Sequence, residues 1–225
     1  MPVDTKSLQS FWGFTNFCRE FMVGYAEKAG PLYEVLKRPQ WTWTEEVTNV
    51  WESLKKGLME APTLVAPNNE FPFVLYPSVK NFGIVSVLTQ DTDAGERPTA
   101  YYSRALTGPE SKLEMCEQTA LAAYWKLQKA QAIIRASKVI IKSHHELGKL
   151  LSQENLSKGR VRGDKAIQWV FALMSENVGL VPLKEPEISV WGLTISDQEH
   201  VCEPPPPPNG NPKHTLSLKQ PQLNR

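Results

Sequence analysis

The sequence predicts an α/β fold, an α+β arrangement around one mixed sheet, preceded by a small helical unit. Two apolar runs at 73–76 and 83–89 are separated by the turn-forming segment 77–81, and PTAYYS at 98–103 adds a third run. A long amphipathic pattern then leads to KVIIKS at 138–143. Because a helix separates this run from the third one, we expect a crossover connection and parallel pairing with the first strand.

Composition limits the class of protein. The chain has 225 residues, of which 41% are hydrophobic, enough for one sizeable core and a small accessory unit. A net charge of +1 provides no global basic field for nucleic-acid binding. The three cysteines are far apart and form no C-x-x-C pair, which favours a reduced, intracellular setting without a zinc site. No apolar run approaches the roughly 20 residues of a membrane span, so we expect a cytoplasmic or nuclear protein without membrane contact.

The first 66 residues are predicted to form the helical unit. Asp4 or Ser7 is placed to cap the first helix, and Thr44 to cap a later one. Gly30 and Pro31 should break the pattern, so that Pro31 begins a second short helix. One broad apolar face is expected on the first helix; its members are Leu8, Phe11, Trp12, Phe14, Thr15, Cys18 and Phe21.

The second half of the chain is predicted to complete the sheet domain, which spans residues 67–182. Apolar residues between 113 and 134 repeat at helical spacing, and shorter helical patterns occur at 145–151 and 166–177. Residues 183–225 contain five consecutive prolines at 204–208 and too few apolar residues for a core. We expect this segment to be a disordered tail, within which residues 188–193 could form an extended segment.

Several blocks carry a resemblance to a known family. They are LQSFWGFTNFCREFMVGYAEKAGPLYEVLK, WTWTEEVTNVWESLKKGLMEAPTL, FPFVLYPSVKNFGIVSVLTQ and RPTAYYSRAL, in that order. In order and spacing they resemble Pol polyproteins of retroviruses and LTR retrotransposons, at the end of reverse transcriptase. CEQTALAAYW and IIKSHHEL are similar to gammaretroviral and endogenous retroviral Pol, and to host genes derived from such Pol segments. Over about residues 7–180, the resemblance implies thumb-type helices followed by a connection or RNase H-like domain.

The family's catalytic residues can be compared position by position. Its polymerase motif Y-x-D-D is absent from this sequence, so we expect no polymerase activity. Its RNase H chemistry uses about four carboxylates around two divalent metal ions. The resemblance implies that the Asp of T-D-A-S falls at Ser78, the Glu of E-x-E-L-L-A at Thr119, and the Asp of T-D-H at His144. All three positions lack a carboxylate.

Neighbouring acids are poor replacements for these ligands. Glu117 lies two residues from Thr119, about 200° around a helix, and should point away from that position. Asp164 is a single carboxylate that cannot hold two metals, and a surface acid near a helix N-terminus is the simpler interpretation. Ser78 and His144 offer donors suited only to a softer metal. We therefore predict no catalytic residue, no metal and no cofactor, with Mg²⁺ required only if the chain were an active nuclease.

Other residues suggest binding surfaces. A basic cluster could contact a phosphate backbone or form a solvated loop; its members are Lys158, Arg160, Arg162 and Lys165. Trp41, Trp43 and Trp51 could stack on bases, although aromatic residues at helical spacing more often belong to a core. The proline run could dock an SH3 or WW module or be a simple tail.

Three functional hypotheses follow. The first is a catalytically inactive reverse transcriptase thumb plus RNase H-like domain, not an enzyme, with an ancestral structural role in holding an RNA–DNA hybrid. The second is an active ribonuclease H that cleaves RNA in such hybrids. The third is a domesticated interaction module that binds a protein partner through the surface of the catalytically inactive RNase H-like domain or through the proline tail.

Overall fold

The computed structural model describes residues 2, 4–38, 42–80, 83–152, 164–185 and 187–196, and their side chains except at 164–167, 187 and 194–196. The helices are α1 (Thr5–Phe17), α2 (Tyr25–Leu36), α3 (Glu45–Met59), α4 (Met115–Ile134), α5 (Leu147–Leu150) and α6 (Asp164–Leu173), with short 3₁₀ turns at Cys18–Phe21 and Glu110–Lys112. The strands are β1 (Phe73–Lys80), β2 (Gly83–Thr92), β3 (Gly95–Ala105), β4 (Val139–Ser143), β5 (Val178–Pro182), β6 (Glu187–Val190) and β7 (Leu193–Ser196).

Five strands form one mixed sheet in the order β3-β2-β1-β4-β5. Strands β1, β2 and β3 are antiparallel neighbours, and β4 pairs in parallel with both β1 and β5. The predicted mixed α/β fold and the parallel pairing of the fourth strand with the first are therefore confirmed. The sequence did not indicate β5, whose short VGLVP segment carries no alternating pattern.

Strand β1 is longer than the sequence predicted. The segment 77–81 was expected to interrupt the strand, but β1 continues to Lys80, and Pro77 pairs with Ser86 of β2. On its other side, β1 pairs with β4 only from Phe73 to Leu75. Proline is tolerated because β1 at this point has a ladder partner on one side only, as in an edge strand.

The helical unit begins with the capping that the sequence predicted. Asp4 caps α1: its Oδ1 accepts a hydrogen bond from the Ser7 backbone N–H at 2.7 Å. Thr44 caps α3, since its Oγ1 accepts from the Val47 N–H at 3.3 Å. Local sequence signals were sufficient at both positions.

The expected break at Gly30 and Pro31 is wrong. Helix α2 begins after Gly24, whose φ of 64° is left-handed, and runs through Pro31 to Leu36. A residue with a Cβ before proline is sterically disfavoured in a helix, and Gly30 has no Cβ to clash. Burial of Tyr25, Ala29 and Leu32 then holds both halves of α2 against one core.

Helix α1 has a narrower buried face than predicted. Leu8 and Thr15 are fully buried, with Phe11 and Trp12 packed beside the core. Three phenylalanines instead face solvent, with exposed fractions of 59% for Phe14, 83% for Phe17 and 45% for Phe21. The prediction that Phe14 and Phe21 belong to the buried face is therefore wrong, because apolar residues surround α1 and the sequence does not show which side meets α2.

Both faces of the sheet are covered. Helix α4 packs on one face through Ala120, Ala123 and Leu127, which contact Phe73 and Leu75 of β1. The opposite face is covered by the β6–β7 hairpin, whose members pack with Val74, Tyr76 and Tyr101; the hairpin residues in this cluster are Ile188, Val190, Trp191 and Leu193. Residues 187–196, which the sequence assigned to the tail, thus form a hairpin, in agreement with the possible extended segment at 188–193. Residues 197–225, including the proline run, lie outside the described part of the chain.

The hairpin turn is held by contacts to the sheet. Trp191 and Gly192 form the two-residue connection and have φ values of 50° and 79°. The left-handed conformation is unfavourable for a tryptophan. It is fixed by the Tyr101 hydroxyl, which donates to the Trp191 carbonyl at 3.0 Å, and by the Arg97 guanidinium over the indole ring at 5.2 Å.

Lys126 is a fully buried lysine between α4 and β3. Its side chain is 0% exposed, and its Nζ has no hydrogen-bond partner among the described residues. The Nζ lies 2.6 Å from the ring centroid of Tyr102. Burial lowers the pKa of Lys126 to about 6, an effect that the nearby Glu20 carboxylate partly opposes. The amine is therefore mostly uncharged at neutral pH.

No helix within the described ranges is both long enough and apolar enough to cross a membrane.

Replacing Pro31 by Ala tests the interrupted helix. Pro31 is exposed, so the change removes little packing and restores a backbone N–H inside α2. Proline is about 3 kcal/mol less favourable than alanine in a helix interior, so we expect Pro31→Ala to raise stability by about 1–3 kcal/mol in urea unfolding. Pro62→Ala, in the loop after α3, is the matched control and should give no increase. Equal effects of both changes would contradict a helix through residue 31.

Replacing Lys126 by Met tests the buried amine. The folded pKa of about 6 lies below the ordinary value of 10.5, so between these values the unfolded chain binds more protons and wild-type stability rises with pH. We expect Lys126→Met to be more stable at pH 7, with the difference shrinking by about 1 kcal/mol per pH unit up to pH 9. Urea unfolding at pH 7, 8 and 9 measures this difference. Lys129→Met, an exposed position on α4, is the control; if both variants show the same pH dependence as the wild type, Lys126 is not a buried neutral amine.

Candidate functional site

The carboxyl ends of β1 and β4 contain two of the positions that the family resemblance assigns to metal-binding acids, Ser78 and His144. The parallel register pairs Phe73 with Val139 and Leu75 with Ile141. Continuing this register by three residues sets Ser78 beside His144, the residue after the end of β4. Ser78 is buried and pairs with Val85 of β2, and His144 is half-buried. By this extrapolated register, the two positions lie at the same level of neighbouring strands, three residues beyond the last observed pair, Leu75 and Ile141.

Thr119 occupies the third position, on α4. It is buried, and its hydroxyl donates to the Met115 carbonyl at 2.9 Å, within its own helix. Met115 and Ala122 lie on the same side of α4, one turn before and after it, and pack with Val79 at the end of β1. Thr119 therefore lies at the same end of the sheet as Ser78. Side chains alternate along a strand, however, so Ser78 points to the face opposite to Val79. The Ser78 and Thr119 side chains therefore lie on opposite faces of the sheet.

Glu117, the acid nearest to Thr119, is engaged at the start of α4. Its Oε2 accepts a hydrogen bond from the Glu114 backbone N–H at 3.0 Å and so completes a capping box. Burial raises the pKa of the Glu117 carboxyl. A carboxylate turned back to the helix N-terminus satisfies a backbone donor that would otherwise lack a partner.

The segment after β4 is tied to the backbone. The Ser143 hydroxyl is buried and donates to the His145 carbonyl at 2.8 Å. A cavity of about 290 Å³ opens beside it at the ends of β4 and β5; its lining includes Ser143, His145, Leu147, Leu180 and Pro182. Nowhere in the described ranges do three or more His, Cys, Asp or Glu side chains come close enough together to hold a metal ion.

The predicted basic cluster falls at the border of the described structure. Lys158, Arg160 and Arg162 lie outside the described residues. Lys165 is in α6, but its side chain is not described, and the same holds for Asp164. A phosphate-binding role for this cluster remains a prediction from the sequence.

The tryptophans have structural neighbours. Trp43 packs beside the core of the helical unit, and its Nε1 donates to the Thr48 hydroxyl at 2.7 Å. The ring of Trp51 lies 6.0 Å from that of Phe11. Trp41 lies outside the described residues. The two described tryptophans therefore serve the packing of the helical unit, which was the simpler of the two interpretations.

The exposed phenylalanines of α1 are the surface that the sequence did not reveal. Phe14 and Phe17 are three residues apart and lie on one side of α1, and Phe21 follows in the adjoining 3₁₀ turn; these three exposed rings are termed the exposed stripe. Arg19 is exposed in the same segment. Aromatic rings with a neighbouring cation can stack on unpaired bases. The spacing was readable from the sequence, but the exposure was not.

Comparison with known proteins agrees with this architecture. Residues 43–141 match the family model described as an RNase H-like domain found in reverse transcriptase. The Gag-Pol polyprotein of gibbon ape leukemia virus is 30% identical over 154 residues, which are 68% of this chain and 9% of that polyprotein. The Pol polyprotein of feline endogenous virus ECE1 is 37% identical over 106 residues, which are 47% of this chain and 10% of that polyprotein. The chain therefore spans about a tenth of the polyproteins that it matches.

Solved structures share the fold. The foamy viral protease-reverse transcriptase in complex with dsDNA has a TM-score of 0.69 and 24% identity, covering 82% of this chain and 39% of that one. The same type of protein in complex with an RNA/DNA hybrid has a TM-score of 0.70 and 23% identity, covering 100% of this chain and 28% of that one. Together with the sequence relatives, these similarities confirm the resemblance drawn from the sequence blocks. Residues 43–141 thus belong to the RNase H-like domain family found in reverse transcriptase, and the chain is related to a segment of retroviral Pol polyproteins.

Proposed function

We propose that this chain is a catalytically inactive RNase H-like domain that holds a nucleic-acid duplex, with an RNA–DNA hybrid as its preferred form. The observation that carries the proposal is the absence of a carboxylate side chain at three positions. Ser78, Thr119 and His144 stand where the family resemblance implies carboxylates, and none of them is an oxygen anion. Divalent ions of the magnesium type require such ligands for two-metal hydrolysis.

The hydrogen bonds made at and near these positions support the proposed absence of nuclease activity. The Thr119 hydroxyl is used within α4, and the nearby Glu117 carboxylate caps the same helix. Ser78 is buried in a continuous β ladder. Recruiting these groups to a metal would require breaking hydrogen bonds inside regular structure, which costs about 1–3 kcal/mol for each buried group left unsatisfied.

The binding part of the proposal rests on surface chemistry and on the structural neighbours. Foamy viral reverse transcriptases of the same fold were solved with dsDNA and with an RNA/DNA hybrid. Here the cluster at 158–165 offers positive charge for the phosphates of a duplex, and the exposed stripe of Phe14, Phe17 and Phe21 could stack on unpaired bases at a duplex end. Neither surface needs metal chemistry.

Binding of a labelled RNA–DNA hybrid at different salt concentrations tests this role. If the four basic residues Lys158, Arg160, Arg162 and Lys165 each contact a phosphate, affinity should fall about a hundredfold between about 50 and 200 mM salt. Replacing all four by Gln should flatten this dependence. A matched variant with Gln at Lys6, Lys112, Lys129 and Lys138 removes the same charge elsewhere and should keep most of the slope. Flat, weak binding of the wild type would contradict the nucleic-acid role and leave a protein partner as the better hypothesis.

Cleavage of the same hybrid in Mg²⁺ separates the inactive domain from an active ribonuclease H. We expect no metal-dependent cleavage at high protein concentration, because the metal-binding acids are replaced. Cleavage that Glu117→Gln abolishes would overturn the proposed inactivity.

Restoring acids at the two neighbouring strand ends tests whether these positions are correctly identified. The double change Ser78→Asp and His144→Asp should destabilise the metal-free protein, because it buries charge, and Mg²⁺ should then raise its melting temperature. The wild type should show no such shift. Ser78→Asn and His144→Asn supply neutral side chains of matching size as the control. If Mg²⁺ leaves the acidic double variant unchanged, these two residues do not occupy ligand positions.

A further inference from the structure

A cavity of about 380 Å³ lies at the junction of the helical unit and the sheet. One wall is the start and middle of α2, and the other is the edge formed by β1, β2 and β3. The lining residues used below are Ala26, Glu27, Lys80, Val85, Arg104 and Ala105. Its volume falls in the range of small-molecule sites, which occur preferentially where two structural units meet.

The two walls are fixed relative to each other. The Ala26 backbone N–H donates to the Ser103 hydroxyl at 2.9 Å, which ties the first turn of α2 to β3. Gly83 lies so close to β3 that a Cβ there would be 3.0 Å from the Arg104 carbonyl oxygen. On the helix side, a Cβ at Gly30 would meet no atom within 4 Å. The cavity is therefore a space left between anchored backbones and lined by short side chains.

The charged residues that line this cavity differ in whether their side chains already have partners. The Arg104 guanidinium forms two hydrogen bonds with the Glu110 carboxylate, at 2.7 and 3.0 Å, and lowers the pKa of Glu110 to about 2. Glu27 has other contacts of its own. The Lys80 ammonium group forms no hydrogen bond or ion pair with the described residues, and Lys80 is half-exposed. The ammonium group of Lys80 is thus the charge available to a ligand.

We propose that this cavity binds a small anion with a flat apolar body, such as an aromatic carboxylate or sulfonate. The apolar body would lie against Ala26, Val85 and Ala105, and the anionic group would pair with Lys80. This site is separate from the nucleic-acid surface proposed above. It uses the wall of α2, so it exists only while the helical unit is docked on the sheet.

Two probes of the same shape test the proposal by calorimetry and fluorescence. 8-Anilinonaphthalene-1-sulfonate carries the anion, and N-phenyl-1-naphthylamine has the same aromatic body without it. We expect one equivalent of the sulfonate to bind, about fivefold more tightly than the neutral probe, since one partly exposed ion pair contributes about 1 kcal/mol. Lys80→Gln should remove this preference. Lys138→Gln should keep it, because Lys138 precedes β4 and lies beside Phe73, at the other end of β1 from Lys80.

A larger side chain that fills the cavity provides a second test of the same binding site. Ala26→Leu should abolish stoichiometric binding of both probes, whereas Ala132→Leu, an exposed alanine on α4, should leave it unchanged. Phe17→Ser controls for adsorption of the probes to the exposed stripe on α1. Circular dichroism verifies that each variant is folded, and Lys80→Gln carries the test if Ala26→Leu is not. Binding without a preference for the anion, or binding that Phe17→Ser abolishes, would overturn the proposal.

Discussion

The parallel pairing of β1 with β4 is the constraint on which the rest of this structure depends. It is short, covering Phe73–Leu75 against Val139–Ile141, and is extended by the Phe73 N–H donating to the Lys138 carbonyl at 2.8 Å. Through it, the antiparallel meander β1–β3 and the parallel pair β4–β5 become one sheet. A parallel neighbour requires a crossover, and α4 is that crossover. The burial of α4 on the face of Phe73 and Leu75 and the packing of the hairpin on the opposite face both follow from this one pairing.

This constraint also separates the residues that hold the sheet together from the positions that the resemblance assigns to the family's acids. The side chains that hold the sheet are apolar, such as Val74, Leu75 and Val87, and they alternate along the strands. Two of the positions that the resemblance assigns to these acids hold the neutral hydroxyls of Ser78 and Thr119. A buried neutral hydroxyl avoids the desolvation cost of a buried carboxylate that no metal compensates. The fold therefore does not require carboxylates at these two positions, which agrees with the proposed inactivity.

The junction between the helical unit and the sheet has its own chemistry. Tyr102 of β3 lies over the neutral amine of Lys126, and Glu20 from the 3₁₀ turn approaches the same region. Ser103 binds the first turn of α2, and the cavity beside Lys80 opens next to it. The edge strand β3 is thus covered by the helical unit and is not left open for pairing with another chain. The two units behave as parts of one packed body at this seam, although the sequence presents them as separate blocks.

The sequence by itself determined most of the elements, the helix caps and which residues stand at the positions that the resemblance assigns to acids. Apolar runs and helical spacing are local signals, so β1, β2, α3 and α4 were predicted from neighbouring residues, and the crossover rule supplied the parallel pairing. Residue identity at Ser78, Thr119 and His144 was likewise readable without coordinates, once the family blocks were aligned. For the same reason, the sequence predicted the candidate site as a set of positions and not as a geometry.

Only the tertiary structure decided which of several apolar surfaces is buried. The sequence could not show that Phe14, Phe17 and Phe21 face solvent, because α1 is apolar on more than one side and burial depends on where α2 and α3 dock. Long-range contacts also hold Trp191 in a left-handed turn, carry α2 through Pro31 and remove Lys126 from water. Each of these features is locally unfavourable and persists because contacts distant in sequence outweigh the local preference.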